Sequence, residues 1–232
     1  RAGVDFDLTN IDDDPRFNSY WQRYHELMER RGVNPDAAKA IVRSRVTVVA
    51  ALMLDRGEAD AMICGIVGRY QRKLQHILSV IPRDPGVQSL AALTAVANDR
   101  GTFFFLDTHV QADPTAEQLA EATLQAAYRL RLFGIPPKIA LLSHSNFGSH
   151  DNPSALKMRK VRELVLAKAP RLEIEGEMHA DAALNEAIRE KLFPGSALKG
   201  RANLFVCPNL DAANIAYNIT RQMTDGVAIG PI

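Results

Sequence analysis

The sequence predicts an α/β protein of two lobes, built on mostly parallel sheets with helices on both faces. Three observations predict it. Short apolar runs recur within 102–110, where the run is continuous up to Asp107, and within 138–145 and 203–207, which is how a strand buried on both faces reads. Between them lie helix-periodic segments of roughly 10–15 residues, the alternation of β-α-β units. Pro82, Pro85 and Gly86 interrupt the pattern and mark a crossover between lobes. The expected division is 1–83 in lobe I, 84–224 in lobe II, and 225–232 returning to lobe I.

The elements follow in order. Residues 5–14 carry five aspartates and end at Pro15, an acidic surface loop. Tyr20, Trp21, Tyr24, Leu27 and Met28 recur at helical spacing, so 17–31 is a helix that Gly32 ends. Asn34-Pro35 opens a second helix that runs to Asp55, with Asn as cap and Pro in the first turn. Residues 61–64 read as a buried strand and 69–81 as a helix. In the second half, 102–110 is a strand, and Asp113-Pro114 starts a long helix to Gly134. Strands at 138–145, 172–174 and 203–207 alternate with helices at 154–168, 181–192 and 211–223. Asp181 and Asp211 are the expected caps of the last two helices. A final strand occupies 226–232. The chain starts and stops abruptly, as an excised piece of a longer protein would.

Lys and Arg total 28 against 27 Asp and Glu, a net charge of +1. That balance gives no general field for nucleic acid or an anionic membrane, so any anion site is local. No apolar run reaches the length of a spanning helix. The first residues are acidic and lack the apolar stretch of a signal peptide. The expected location is cytoplasmic. Cys64 and Cys207 sit in apolar runs and read as two buried, reduced thiols. No Cys/His spacing suggests a metal.

Ligands of open α/β sheets bind beyond the carboxyl ends of the strands. Three loops qualify. Ser143-His144-Ser145-Asn146-Phe147-Gly148-Ser149 offers hydroxyls, an amide and a glycine that turns N–H groups toward an anion; a self-bonded polar turn explains it as well. Pro208 to Asn214 holds Asn209 and Asn214. Cys64 to Tyr70 has two glycines, with Arg69 placed to meet a phosphate. Glu177, His179 and Asp181 share one side at strand spacing, but a solvated turn is the better reading. There is no nucleophile elbow and no P-loop, and no catalytic residue is assigned.

The same loops carry a resemblance. GEADAMICG (57–65), DPTAEQLAE (113–121), ALLSHSNFGS (140–149), EGEMHADAAL (175–184) and PNLDAANIAYN (208–218), in this order, resemble the phosphate acetyl/butyryl transferases. The resemblance implies their two-lobed, isocitrate-dehydrogenase-like fold. It also marks departures. Gln75 stands where the family has a phosphate-binding arginine, and Phe147 where its Ser-Thr-Lys-Gly-Ser loop has lysine. Asn218 replaces a lysine after Tyr217, and Gln222 an arginine, with Arg221 beside it. The family's later Ser-Arg-Gly segment, with its catalytic aspartate, is not in the chain. Each lost charge-assisted donor at an acyl-transfer site costs on the order of 2–4 kcal/mol.

SHSNFGS, GEMHADAAL and PNLDAANIAYN look most like the C-terminal domain of the bacterial NADP-dependent hybrid malic enzymes. That resemblance implies a domain that binds acetyl-CoA as an effector, inhibits a distant malate site and helps oligomerise the enzyme as a homodimer through lobe II. It implies no cofactor here, with NADP and Mg or Mn held by a covalently linked upstream domain. The implied cleft or ligand residues are Ser143, Ser145, Asn146, Gly148, Ser149, Arg69, Tyr70, Gln75, Asn209, Asn214, Asn218 and Arg221. An active phosphate acetyltransferase using Arg69 and Arg221, and a module kept only for dimerisation, are the alternatives.

Overall fold

The computed structural model describes residue 3, residues 5–65 and residues 67–232. They form two compact units, Arg1–Gly86 and Val87–Ile232.

The regular structure described in the first unit is helical: α1 (Phe17–Met28), a 3-10 turn (Glu29–Arg31), α2 (Pro35–Ser44), α3 (Val46–Asp55) and α4 (Tyr70–Leu78). Gly32 takes φ +84° and closes the first helical segment, a conformation that suits glycine. Asn34 caps α2 by accepting from the Ala37 N–H at 2.8 Å. The single helix expected over 35–55 breaks at Arg45, at φ −128° and ψ 84°. The break has a local cause. Ser44 Oγ donates back to the Ala40 carbonyl at 2.8 Å, and the β-branched run Val46-Thr47-Val48-Val49 follows; both weaken a continuous helix.

Buried Tyr20, Val42, Val48 and Leu52 form the core of this unit. The Tyr20 hydroxyl donates to Glu58 at 2.6 Å, and the guanidinium groups of Arg16 and Arg56 lie over its ring, at 5.5 and 5.1 Å from its centroid. The expected strand at 61–64 is absent. Ile63 is fully exposed and Cys64 is an exposed thiol, correcting the reading of two buried cysteines. A strand buried on both faces needs neighbouring strands, and this unit offers none among its described residues.

The second unit is a six-stranded sheet in the order β4-β3-β5-β2-β1-β6. The strands are β1 (Leu93–Asn98), β2 (Gly101–Leu106), β3 (Ile139–Leu142), β4 (Ile174–Met178), β5 (Leu204–Val206) and β6 (Val227–Ile229). The pairs β2–β5, β3–β5 and β3–β4 are parallel. The pairs β1–β2 and β1–β6 are antiparallel. β1 was not foreseen. Its turn signal, Asn98-Asp99-Arg100-Gly101, is in the sequence, and Gly101 has φ +125°. Residues 225–232, expected back in the first lobe, instead place β6 on β1, because antiparallel pairing gives that strand a partner in this sheet.

Helices α5 (Ala116–Leu132) and α6 (Pro153–Lys168) cover one face over Leu106, Leu130, Ile139, Leu141 and Val165. On the other face, α7 (Ala180–Leu184) and α9 (Leu210–Met223) pack over Phe103, Phe105, Ala140 and Phe205. The expected 181–192 helix is two pieces, α7 and α8 (Glu186–Leu192), because Asn185 caps the second by accepting from the Ala187 N–H at 3.0 Å. Three expected caps shift by two residues. Thr115 caps α5 in a capping box with Gln118, Asn209 caps α9 by accepting from the Ala212 N–H at 2.9 Å, and α7 starts after His179, with Asp181 inside its first turn.

Two features fix the edges of this unit. Arg189, with no exposed surface, donates to the carbonyls of Ala182, Leu198 and Gly200 at 2.8, 3.0 and 2.6 Å. It ties α7 and α8 to the loop before β5. Gly176 on β4 has φ +136°, and a Cβ there would lie 2.6 Å from the Leu141 carbonyl oxygen. Gly176→Ala therefore forces β4 away from β3. We expect a loss of about 3 kcal/mol or more, read as a lower denaturant midpoint, whereas Gly134→Ala, with open space around it, costs only its backbone strain, on the order of 1 kcal/mol.

Candidate functional site

The loops at the carboxyl ends of β2, β3, β4 and β5 converge in the second unit. Two buried carboxylates shape them. The first is Asp107, directly after β2. It accepts from the backbone N–H groups of Ala92, His109, Val110 and Gln111 at 3.0, 2.9, 3.1 and 2.8 Å. Such a fan of donors turns the chain out of the strand, which is why the expected strand 102–110 stops at Leu106. Beside it, buried Thr108 meets Thr94 at 2.6 Å and His109 Nδ1 at 2.7 Å. Asn214 Nδ2 donates to the Thr108 carbonyl at 3.2 Å, and Asn218 Nδ2 to the Asn214 amide oxygen at 3.1 Å.

The second carboxylate is Glu177 on β4, 1% exposed. The serine loop after β3 closes on it. Ser145 Oγ donates to Glu177 Oε1 at 2.7 Å and the Gly148 N–H to the same oxygen at 2.9 Å. Arg159 Nε of α6 donates to Oε2 at 3.1 Å. The loop is also bonded to itself. Ser145 Oγ accepts from the His150 N–H at 3.1 Å, and Ser149 Oγ accepts from the Asn146 N–H at 3.0 Å. Ser143 Oγ accepts from the Ser145 N–H at 3.1 Å, and Asn146 Oδ1 from the His179 N–H at 2.7 Å. The five expected loop residues, Ser143, Ser145, Asn146, Gly148 and Ser149, are thus brought together. Two of them, Ser145 and Gly148, bond the protein's own carboxylate, Glu177.

Phe147 takes a left-handed backbone at φ +48°, followed by Gly148 at φ +91°, and its ring stacks on Phe193 at 4.9 Å. Behind it, a cavity of about 300 Å³ is lined by Arg159, Arg162, Glu175 and Glu177 among others. Glu175 pairs with Arg162 at 2.9 Å. Sequence reasoning took these glutamates for a solvated turn. The period-2 spacing of Glu175 and Glu177 around Gly176, with Arg159 and Arg162 on the next helix upstream, is the signal that identifies them as buried strand acids.

A second cavity, of about 460 Å³, is lined by Asp113, Pro114, Thr115, Pro153, Ser154, Lys157 and Asn209. These residues sit at the amino-terminal ends of α5, α6 and α9, the positive ends of three helix dipoles. Lys157 adds a cation, paired with exposed Asp113 at 2.6 Å. Asn209 is the expected site residue that reaches this cavity. Arg221 does not: it lies exposed in the last turn of α9, about 18 Å along the helix from Asn209. Arg69, Tyr70 and Gln75 belong to the first unit, at the cap, first residue and second turn of α4. Ile66 of their glycine loop lies outside the described residues.

The family model for phosphate acetyl/butaryl transferases matches residues 1–232. The chain belongs to this family. It is 50% identical over 233 residues to the NADP-dependent malic enzyme of Escherichia coli K12, covering all of this chain and 31% of that protein. To the NAD-dependent malic enzyme of Rhizobium meliloti it is 49% identical over 232 residues, covering all of this chain and 30% of that protein. The chain thus spans about a third of the length of these relatives. Among solved structures, a phosphotransacetylase from Streptococcus pyogenes superposes with a TM-score of 0.89 at 29% identity, over all of this chain and 70% of that one. Its membership and α/β fold agree with the expectation drawn from the loops. No described helix is long and apolar enough to cross a membrane.

Burial works to raise the Glu177 carboxyl, but the Ser145 hydroxyl, the Gly148 N–H and Arg159 outweigh it and hold the group below the ordinary 4.5. A depressed carboxylate adds stability above its unfolded value, and that stability is lost as pH falls through its folded value. We expect Glu177→Gln to cost about 2 kcal/mol at pH 7, and the difference from wild type to shrink steadily below pH 4.5. Urea titrations from pH 7 to pH 3 check this; a pH-independent difference refutes it.

Proposed function

We propose that this chain is an acetyl-CoA-binding regulatory domain of a malic enzyme, and that it does not itself transfer acetyl groups. One observation carries the second part. Where the resemblance places a lysine in the family's loop, Phe147 stacks on Phe193, and the donors beside it are spent on Glu177. A loop in that state has no cation for a transferring phosphate and no free hydroxyl at Ser145. The near-50% identity to two malic enzymes over the whole chain supports the first part.

On this reading, malate oxidation and decarboxylation to pyruvate and CO2 take place in a covalently linked upstream domain. NADP and Mg or Mn serve there. The relatives include both an NAD- and an NADP-dependent enzyme, and the loop resemblance favours NADP. The present domain binds acetyl-CoA and lowers malate turnover. It assembles as a homodimer through the second unit within a larger cytoplasmic oligomer. The cavity at the three helix amino termini, with Lys157 on its wall, suits a negatively charged part of the effector. A coupling between distant sites is typically worth about 1–3 kcal/mol.

The test is malate-dependent NADP reduction by the full-length protein, titrated with acetyl-CoA. Saturable inhibition is expected, and Lys157→Gln should raise the half-inhibitory concentration about tenfold, the loss of one charge-assisted contact. No response at saturating acetyl-CoA would sink the reading. Phosphate-dependent release of CoA from acetyl-CoA would establish the transferase instead.

A further inference from the structure

The sheet face covered by α7 and α9 is not fully closed. Over Phe103, Phe105 and Phe205 lies a furrow with a volume of about 320 Å³. The ring of Phe205 packs on those of Phe103 and Phe105, with centroids 5.9 and 5.3 Å apart, to give an apolar floor. Leu184 of α7 and Ile219 of α9 line its sides and are themselves 44% and 53% exposed. Apolar walls left open to water around a concave site favour an apolar guest.

One end of the furrow is polar. Arg100 precedes β2 and Arg201 precedes β5, so both stand at the amino-terminal ends of parallel strands, opposite the serine loop. The neutral groups beside them satisfy one another. Asn98 Nδ2 donates to Thr224 Oγ1 at 3.1 Å, and Thr224 Oγ1 to the Thr220 carbonyl at 2.8 Å. The arginines are not answered in this way. Arg201 Nη2 donates to the Arg100 carbonyl, and its guanidinium lies 5.0 Å from the Phe103 centroid. Neither arginine has an ion pair among the described residues, and none of the described residues that line the furrow is an acid. Each guanidinium carries five N–H donors in a planar fork that fits a carboxylate.

An apolar floor with two unanswered cations at one end matches a molecule with the opposite division, a hydrocarbon body ending in a carboxylate. The volume is at the lower end for a small-molecule site, so that body is a single short chain or ring. We propose that this furrow binds a small amphipathic monocarboxylate, its apolar body over Phe103, Phe105 and Phe205 and its carboxylate on Arg100 and Arg201. The site stands apart from the acetyl-CoA reading, whose cavity lies at the other end of α9. Binding here without any effect of acetyl-CoA on malate oxidation would keep this site and remove that function.

The experiment is photoaffinity labelling of the full-length protein with a diazirine-bearing octanoate, mapped by mass spectrometry and competed by octanoate or by octanol. Label on peptides carrying β2 or α9 should fall at least about fivefold with octanoate, as expected at roughly 80% occupancy, and little with octanol at the same concentration. No competed label on either peptide, the outcome if a second copy of the chain covers the furrow, overturns the proposal. Equal competition by the alcohol overturns the carboxylate. Arg100 and Arg201 are exposed, so Arg100→Gln/Arg201→Gln should keep the fold, as circular dichroism checks. In that variant the octanoate concentration for half competition should rise about tenfold or more, the loss of charge-assisted contacts. Unchanged competition overturns the assignment to these arginines.

Discussion

The architecture of the second unit around its loops depends on one buried carboxylate. Glu177 takes two donors from the serine loop and one from α6. An ionised group with almost no exposure is tolerable only when its lone pairs are filled and its charge is answered. Here one side chain meets both conditions by recruiting a loop, a helix and an edge strand. The serine loop takes its shape as a coordination shell about that charge. Gly148 turns its N–H to Glu177 at φ +91°, a backbone that suits glycine, and Phe147 before it is also left-handed, at φ +48°.

The same constraint separates fold from chemistry within the family. A solved phosphotransacetylase superposes at a TM-score of 0.89 with 29% identity, so the layers are kept while most side chains differ. Strand runs such as Phe103–Leu106 and Ile139–Leu141 hold the layers through burial, which tolerates apolar exchange. The resemblance implies family cations at Gln75 in α4, Phe147 in the serine loop and Gln222 in α9, and this chain is uncharged at all three. A fold shared this closely therefore says little about turnover.

Elements that bury an apolar run within the chain's own periodicity were legible. The strands at Ile139–Leu142 and Leu204–Val206 and the long helices α5, α6 and α9 all follow from it. What escaped depended on partners distant in sequence. β1 carries Thr94 and Asn98 among small residues and reads as a strand only once β2 and β6 flank it. The 61–64 run has strand composition but no sheet to enter. Glu175 and Glu177 read as solvated because their neutralising arginines sit on the preceding helix, 13 and 18 residues upstream. Of the candidate site, the serine loop was found as a unit, but the internal acceptor of Ser145 and Gly148, Glu177, was not foreseen. A sequence shows a set of donors without saying which acceptor satisfies them.

Arg189 gives the second unit a contrasting kind of anchor. Its guanidinium, fully buried, serves three backbone carbonyls, and neither donor nor acceptor changes protonation anywhere in the range a protein survives. The Glu177 corner is tied by a group that acid discharges. The domain thus has one fastening that titrates and one that does not. Acid therefore weakens the serine-loop end of the sheet, while the α7–α8 corner keeps a fastening that does not depend on pH.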